Sequence, residues 1–126
     1  MSFTGAGKPV AFLYVTEREA ALRFYRDLLG LELRSSDDFG DFLDAGGALV
    51  RMTSMVEHKA GPHPVFGWEV PDIEAAARQL SECGVRLRIY EGMGQDELGI
   101  WTSPEGTAKV AWFEDPDGNV LSFSQT

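Results

Sequence analysis

Cysteine is almost missing from this chain of 126 residues: Cys83 stands alone, which excludes an internal disulfide framework and a Cys-rich zinc site. Histidine is nearly as scarce, with His58 and His63 the only two. Lysine occurs three times, and 11 basic residues face 20 acidic ones for a net charge of −9. Nucleic-acid affinity comes largely from Lys and Arg on phosphates, so the balance speaks against a nucleic-acid partner. The acidic excess reads first as solubility. No apolar run approaches the ~20 residues of a membrane span, and Met1-Ser2-Phe3-Thr4-Gly5 lacks a signal-peptide pattern. These absences point to a cytoplasmic protein without a membrane partner. What is present, 44% hydrophobic and 25% charged residues, is the balance of one soluble globular domain.

The chain carries a degenerate internal repeat. Val15-Thr16-Glu17-Arg18-Glu19-Ala20-Ala21-Leu22-Arg23 aligns with Val70-Pro71-Asp72-Ile73-Glu74-Ala75-Ala76-Ala77-Arg78 at an offset of 55, with five of nine pairs identical. Gly30-Leu31 then matches Gly84-Val85, and Asp44-Ala45-Gly46-Gly47 resembles Asp115-Pro116-Asp117-Gly118. Matches in the same order indicate two copies of one unit. The first covers about residues 9–55 and the second 65–125, joined by a linker, 56–64, that holds Gly61, Pro62 and Pro64.

Each copy reads as strand, helix, then three strands. Pro9–Val15 has strand composition, and Thr16 with Glu19 has the spacing of a capping box. Ala20, Ala21, Phe24, Tyr25, Leu28 and Leu29 fall on one helical face, and Gly30 ends the helix. Leu31–Arg34, Asp41–Leu43 and Ala48–Thr53 complete the copy. In the second, Val65–Val70 precedes a helix capped by Asp72, with Ile73, Ala76, Ala77, Leu80 and Cys83 on its apolar face. Cys83 therefore reads as a buried structural thiol. Val85–Tyr90 reads as a strand, and Lys109–Glu114 with Val120–Ser124 as a hairpin. Glu91–Gly106, with four glycines and Pro104, reads as a partly structured loop over apolar surface.

Two β-α-β-β-β copies resemble the vicinal oxygen chelate superfamily, which includes glyoxalase I, fosfomycin-resistance enzymes, extradiol dioxygenases and bleomycin-resistance proteins. Arg23-Phe24-Tyr25-Arg26-Asp27-Leu28-Leu29-Gly30-Leu31 and Phe113-Glu114-Asp115-Pro116-Asp117-Gly118-Asn119 carry the likeness. It implies an α+β fold in which the two modules form a cupped mixed sheet with helices outside, and a homodimer. Metal-dependent members place His, Gln or Glu at strand positions that fall here on Val10, Arg51, Val65 and Ser122. Valine has no donor atom, serine is a poor ligand and arginine brings a positive charge. The expectation is therefore no metal and no cofactor.

Strand alternation turns Val10, Phe12 and Tyr14 to the cup, with Leu13 and Val15 toward the helix. The same parity turns Val65, Gly67 and Glu69 inward, then Leu49, Arg51 and Thr53, Val110 and Trp112, and Val120, Ser122 and Ser124. An apolar, aromatic surface with a few polar groups suits a small organic ligand, although the same residues could fill a dry core. The candidate ligand-binding residues are Phe12, Tyr14, Arg51, Glu69, Trp101, Trp112 and Ser122. Arg51 can bind an anionic group or pair with Glu69. Glu69 can act as a general base or serve only as a partner. Tyr14, Trp101 and Trp112 can stack on a flat or cationic ligand, or Trp112 can be core and Trp101 a loop anchor. His58 and His63 read as solvated linker residues, a displaced metal site being the other option. Two functions stay open: metal-independent binding of a small organic molecule, or a glyoxalase-like lyase or isomerase working through Glu69 and Arg51 or non-standard metal ligands.

Overall fold

The computed structural model describes residues 4–126. The chain forms two compact units, one running to Lys59 and the other beginning at Ala60. In the first, β1 (Val10–Val15) leads into α1 (Arg18–Leu22), whose winding widens over Arg23–Leu28. Three strands follow, β2 (Glu32–Ser36), β3 (Gly40–Asp44) and β4 (Leu49–Ser54). The sheet order is β1-β4-β3-β2, with β1 parallel to β4 and the other pairs antiparallel. The second unit repeats this plan with β5 (Pro64–Glu69), α2 (Ile73–Glu82), β6 (Trp101–Thr102), β7 (Lys109–Glu114) and β8 (Val120–Gln125). Its order is β5-β8-β7-β6, again with the first strand parallel to the last. The fold class is α+β, built from two open mixed sheets of four strands each.

Burial follows the strand alternation. Leu13, Val15, Leu43, Val50 and Met52 are buried on one side of the first sheet, together with Ala21, Phe24 and Tyr25 of the helix. In the second unit Ile73, Ala77, Ile100 and Ala111 form one core cluster, with Val70, Leu98 and Phe123 packed against it. Asp72 caps α2 by accepting from the Ala75 N–H at 3.1 Å. The turn from β7 to β8 closes on Asp115, which accepts from the Asp117 and Asn119 N–H groups and from Asn119 Nδ2. Gly118 takes φ +84°, which a side chain would resist there.

Several local expectations need correction. The N-cap of α1 is Glu17, one residue past Thr16, and the Glu17 side chain makes no capping hydrogen bond. Leu28 is exposed, because the Leu29 N–H bonds to Phe24 five residues back and the wider turn rotates Leu28 off the buried face. Cys83 lies exposed at the end of α2, one position past the last helical turn. Val85–Tyr90 forms only one bridge, Leu87 with Phe113. In a longer ladder the Arg88 carbonyl would face β7; here it accepts from Gln95 Nε2 at 2.9 Å. Trp101 lies in a strand, not at a loop anchor. A register shift at Val65 breaks the alternation, and Val120 is fully buried.

Candidate functional site

Cross-strand pairing lines side chains up across each sheet. In the first unit Phe12 pairs with Arg51, Arg51 with Phe42, and Phe42 with Ser35, so one row crosses all four strands. Tyr14 lies in the next row, paired with Thr53. Phe12 is 63% exposed and Val10 and Tyr14 are also open, so this face of β1 is an apolar surface with water on it. The Arg51 guanidinium stacks on the Phe42 ring at 4.3 Å and donates to Asp37 through Nη1 at 3.0 Å and Nη2 at 3.4 Å. The carboxylate on Arg51 is thus that of Asp37, where parity alone points to Glu69. With Arg51 first, then the Phe39 and Gly40 N–H groups, Asp37 is held below its ordinary carboxyl range. His58 is half-buried in the linker, its ring 5.9 Å from that of Tyr14.

The second unit brings four of the predicted residues onto one face. Ser122 pairs with both Gly67 and Trp112, and the next row runs Glu69, Ser124, Val110, Trp101. Glu69 is exposed, and the other three are half-buried. Trp112 meets Tyr90 edge to face at 5.2 Å, and Arg88 lies 5.4 Å over the Tyr90 ring. Arg88 also approaches Glu114 at 3.5 Å.

Sequence reasoning missed Phe42, Asp37, Tyr90 and Arg88. Phe42 was within reach: the turn after Asp44 pairs Asp44 with Leu49, and counting back two residues puts Phe42 opposite Arg51. Tyr90 and Arg88 had no such signal, since their placement depends on the Gln95 amide holding the Tyr90 N–H at 2.7 Å and the Arg88 carbonyl. A hollow of about 720 Å³ opens on the first unit, lined by Lys8, Val10, Arg34, Phe42, Asp44 and Leu49 among others. None of the seven predicted site residues lines it.

The family model described as Glyoxalase/Bleomycin resistance protein/Dioxygenase superfamily matches residues 8–123. The chain belongs to that superfamily. A superfamily member from Sphaerobacter thermophilus DSM 20745 shares the fold at a TM-score of 0.71 and 24% identity, covering 94% of this chain and 96% of that one. The fosfomycin resistance protein FosX of Listeria monocytogenes gives 0.74 at 11% identity, over 95% and 93% of the two chains. TnmS3, an antibiotic binding protein from Streptomyces sp. CB03234, gives 0.66 at 22%, over 94% and 93%. A curated relative of another kind, "Probable C->U-editing enzyme APOBEC-2" of Bos taurus, is 40% identical over 67 residues. That segment is 48% of this chain and 29% of the relative, so the chain spans under a third of its length. Zinc deamination draws on cysteine thiolates in pairs, and this chain has Cys83 alone.

Within the glyoxalase superfamily the residues at the metal-ligand positions decide what an ion would meet. Val10 and Val65 offer hydrocarbon, and Arg51 offers a cation already engaged with Asp37. Only the Ser122 hydroxyl is a donor, and a weak one. Among the described residues no three His, Cys, Asp or Glu side chains converge, and every buried side-chain nitrogen or oxygen has a partner. The donor set does not fit a divalent ion.

Proposed function

We propose that this glyoxalase-superfamily protein binds a small organic molecule on the aromatic faces of its sheets without a metal ion, as a homodimer. The observation that carries the reading is the donor set: hydrocarbon and a paired arginine stand where a catalytic ion would need ligands. Around those positions lie groups that suit a flat organic ligand: Phe12, Tyr14 and Phe42 on one unit, Trp101, Trp112 and Tyr90 on the other. Arg51 keeps guanidinium N–H donors beyond the two that meet Asp37, and these suit a polar group on the ligand. Support for a dimer comes from β1, an edge strand that exposes Val10, Phe12 and Tyr14.

The test is a tryptophan-fluorescence titration with a panel of flat aromatic compounds of both charge signs, with and without a chelator. The expected result is a saturable response that the chelator leaves unchanged and that Trp112→Phe largely removes. Light scattering on the same sample should give twice the chain mass. A response abolished by chelation, or turnover of the methylglyoxal–glutathione hemithioacetal, would overturn the reading in favour of a metal-dependent lyase or isomerase.

A further inference from the structure

The hollow on the first unit has a chemistry that the predicted site residues do not share. Its walls combine apolar side chains, Val10, Phe42 and Leu49, with the charged groups Lys8, Arg34 and Asp44. Its volume of about 720 Å³ lies within the roughly 300–1,000 Å³ of small-molecule pockets. Of the charges, Asp44 is already spent. It accepts from Arg34 Nη2 at 2.6 Å and, through its other oxygen, from the Gly46 and Gly47 N–H groups. Those bonds hold the carboxyl down at about 2, so it stays an anion with its lone pairs directed at donors in hand. Arg34 has given Asp44 one of its nitrogens and keeps further N–H donors. The Lys8 ammonium makes no hydrogen bond or ion pair among the described residues.

Among the lining residues the balance is therefore two cations to one engaged anion, with Glu32 a further negative charge near Arg34, on a chain whose net charge is −9. Donors are in surplus and acceptors are not. A cationic ligand would meet Lys8 and Arg34 with no free carboxylate on the wall, whereas an anionic one gains charge-assisted hydrogen bonds from both that a neutral one does not match.

We infer that this hollow binds an amphipathic organic carboxylate: the carboxylate on Lys8 and the spare Arg34 donors, the aromatic or alkyl body against Val10, Phe42 and Leu49. The inference deepens the small-molecule reading by naming a ligand class and a place, and it rests on that reading in requiring that the chain bind small molecules. It adds a reason for the Asp44 turn: with the carboxylate locked on Arg34, that guanidinium is held at the wall of the hollow. Phe42 joins the two regions, since its ring also carries Arg51.

Isothermal titration with 2-naphthoate, and with 2-naphthamide as its uncharged match, tests the assignment. The carboxylate should bind and the amide should bind about tenfold more weakly or not at all, the scale of a charge-assisted hydrogen bond. Lys8→Met should weaken naphthoate by about tenfold and leave the amide unchanged, while Lys59→Met, which removes the same charge elsewhere, should do neither. Ala48→Trp, placed at the wall, should block both ligands, with the thermal melt showing each variant folded. Equal affinity for amide and carboxylate overturns the anionic assignment. Naphthoate binding that survives both Lys8→Met and Ala48→Trp puts the ligand elsewhere, and that outcome leaves the small-molecule reading standing. No binding of naphthoate at millimolar concentration overturns the inference, whatever the tryptophan titration shows.

Discussion

Single carboxylates carry much of the internal polarity of the first unit. Asp41 is 1% exposed and accepts from Arg18 at 3.0 and 3.3 Å and from Ser36 Oγ at 2.6 Å. Arg18→Met would strand that buried charge, and because Arg18 is itself one-third exposed the cost should be roughly 2–3 kcal/mol, below the ~3–5 of a fully buried pair. Urea unfolding measures it, and adding Asp41→Asn should return much of the loss; a single mutant as stable as wild type would mean Asp41 is satisfied without Arg18. Asp44 predicts an acid dependence. Its folded value, about 2, lies below the ordinary 3.8, with Arg34 the main cause and the Gly46 and Gly47 N–H groups next. The stabilisation is therefore complete above about pH 4 and lost as the pH falls toward 2. Asp44→Asn should flatten the melting temperature between those limits, and a curve parallel to wild type would remove Asp44 from the acid transition.

At the scale of elements, the close approaches of strands set hard limits. A Cβ on Gly40 would overlap the Met52 backbone carbonyl across the β3–β4 pair, and one on Gly67 would overlap Ser122. Gly40→Ala should cost roughly 1–3 kcal/mol, since backbone has to move to admit it. Gly61 has ordinary φ and open space around it, so Gly61→Ala should change stability by less than about 1 kcal/mol. Thermal melts of the two variants make the comparison, and equal effects would mean that β3 and β4 separate easily. The elements themselves were largely legible: β7 begins and ends where its alternation predicts, and α2 starts at the Asp72 cap. Those signals are local, one residue type at one spacing. Val85–Tyr90 shows the limit. Its pattern is that of a strand, but a side-chain amide ten or fewer residues away competes for the backbone groups that a ladder needs.

Over the whole chain, the residues at the ligand positions predict that protein dialysed and then offered nickel, zinc, manganese or iron retains less than about a tenth of an equivalent. Elemental analysis checks this, and a stoichiometric ion lost on mutating His58 or His63 would sink it. What the sequence determined by itself was the repeat, the order of elements in the first copy, the alternation along β1, β4 and β7, and the family. These follow from hydrophobic period, caps and turn residues, which act over a few positions. Tertiary structure alone decided which charges meet. Arg51 takes Asp37, 14 residues away, because the hairpins between them carry the carboxylate back over the same face. The irregular pairing between Leu33 and Ser35 similarly holds Arg34, which reaches Asp44, and a shift at Val65 turns one predicted face aside. Partner choice depends on register, and one extra residue in a strand reverses every side chain beyond it.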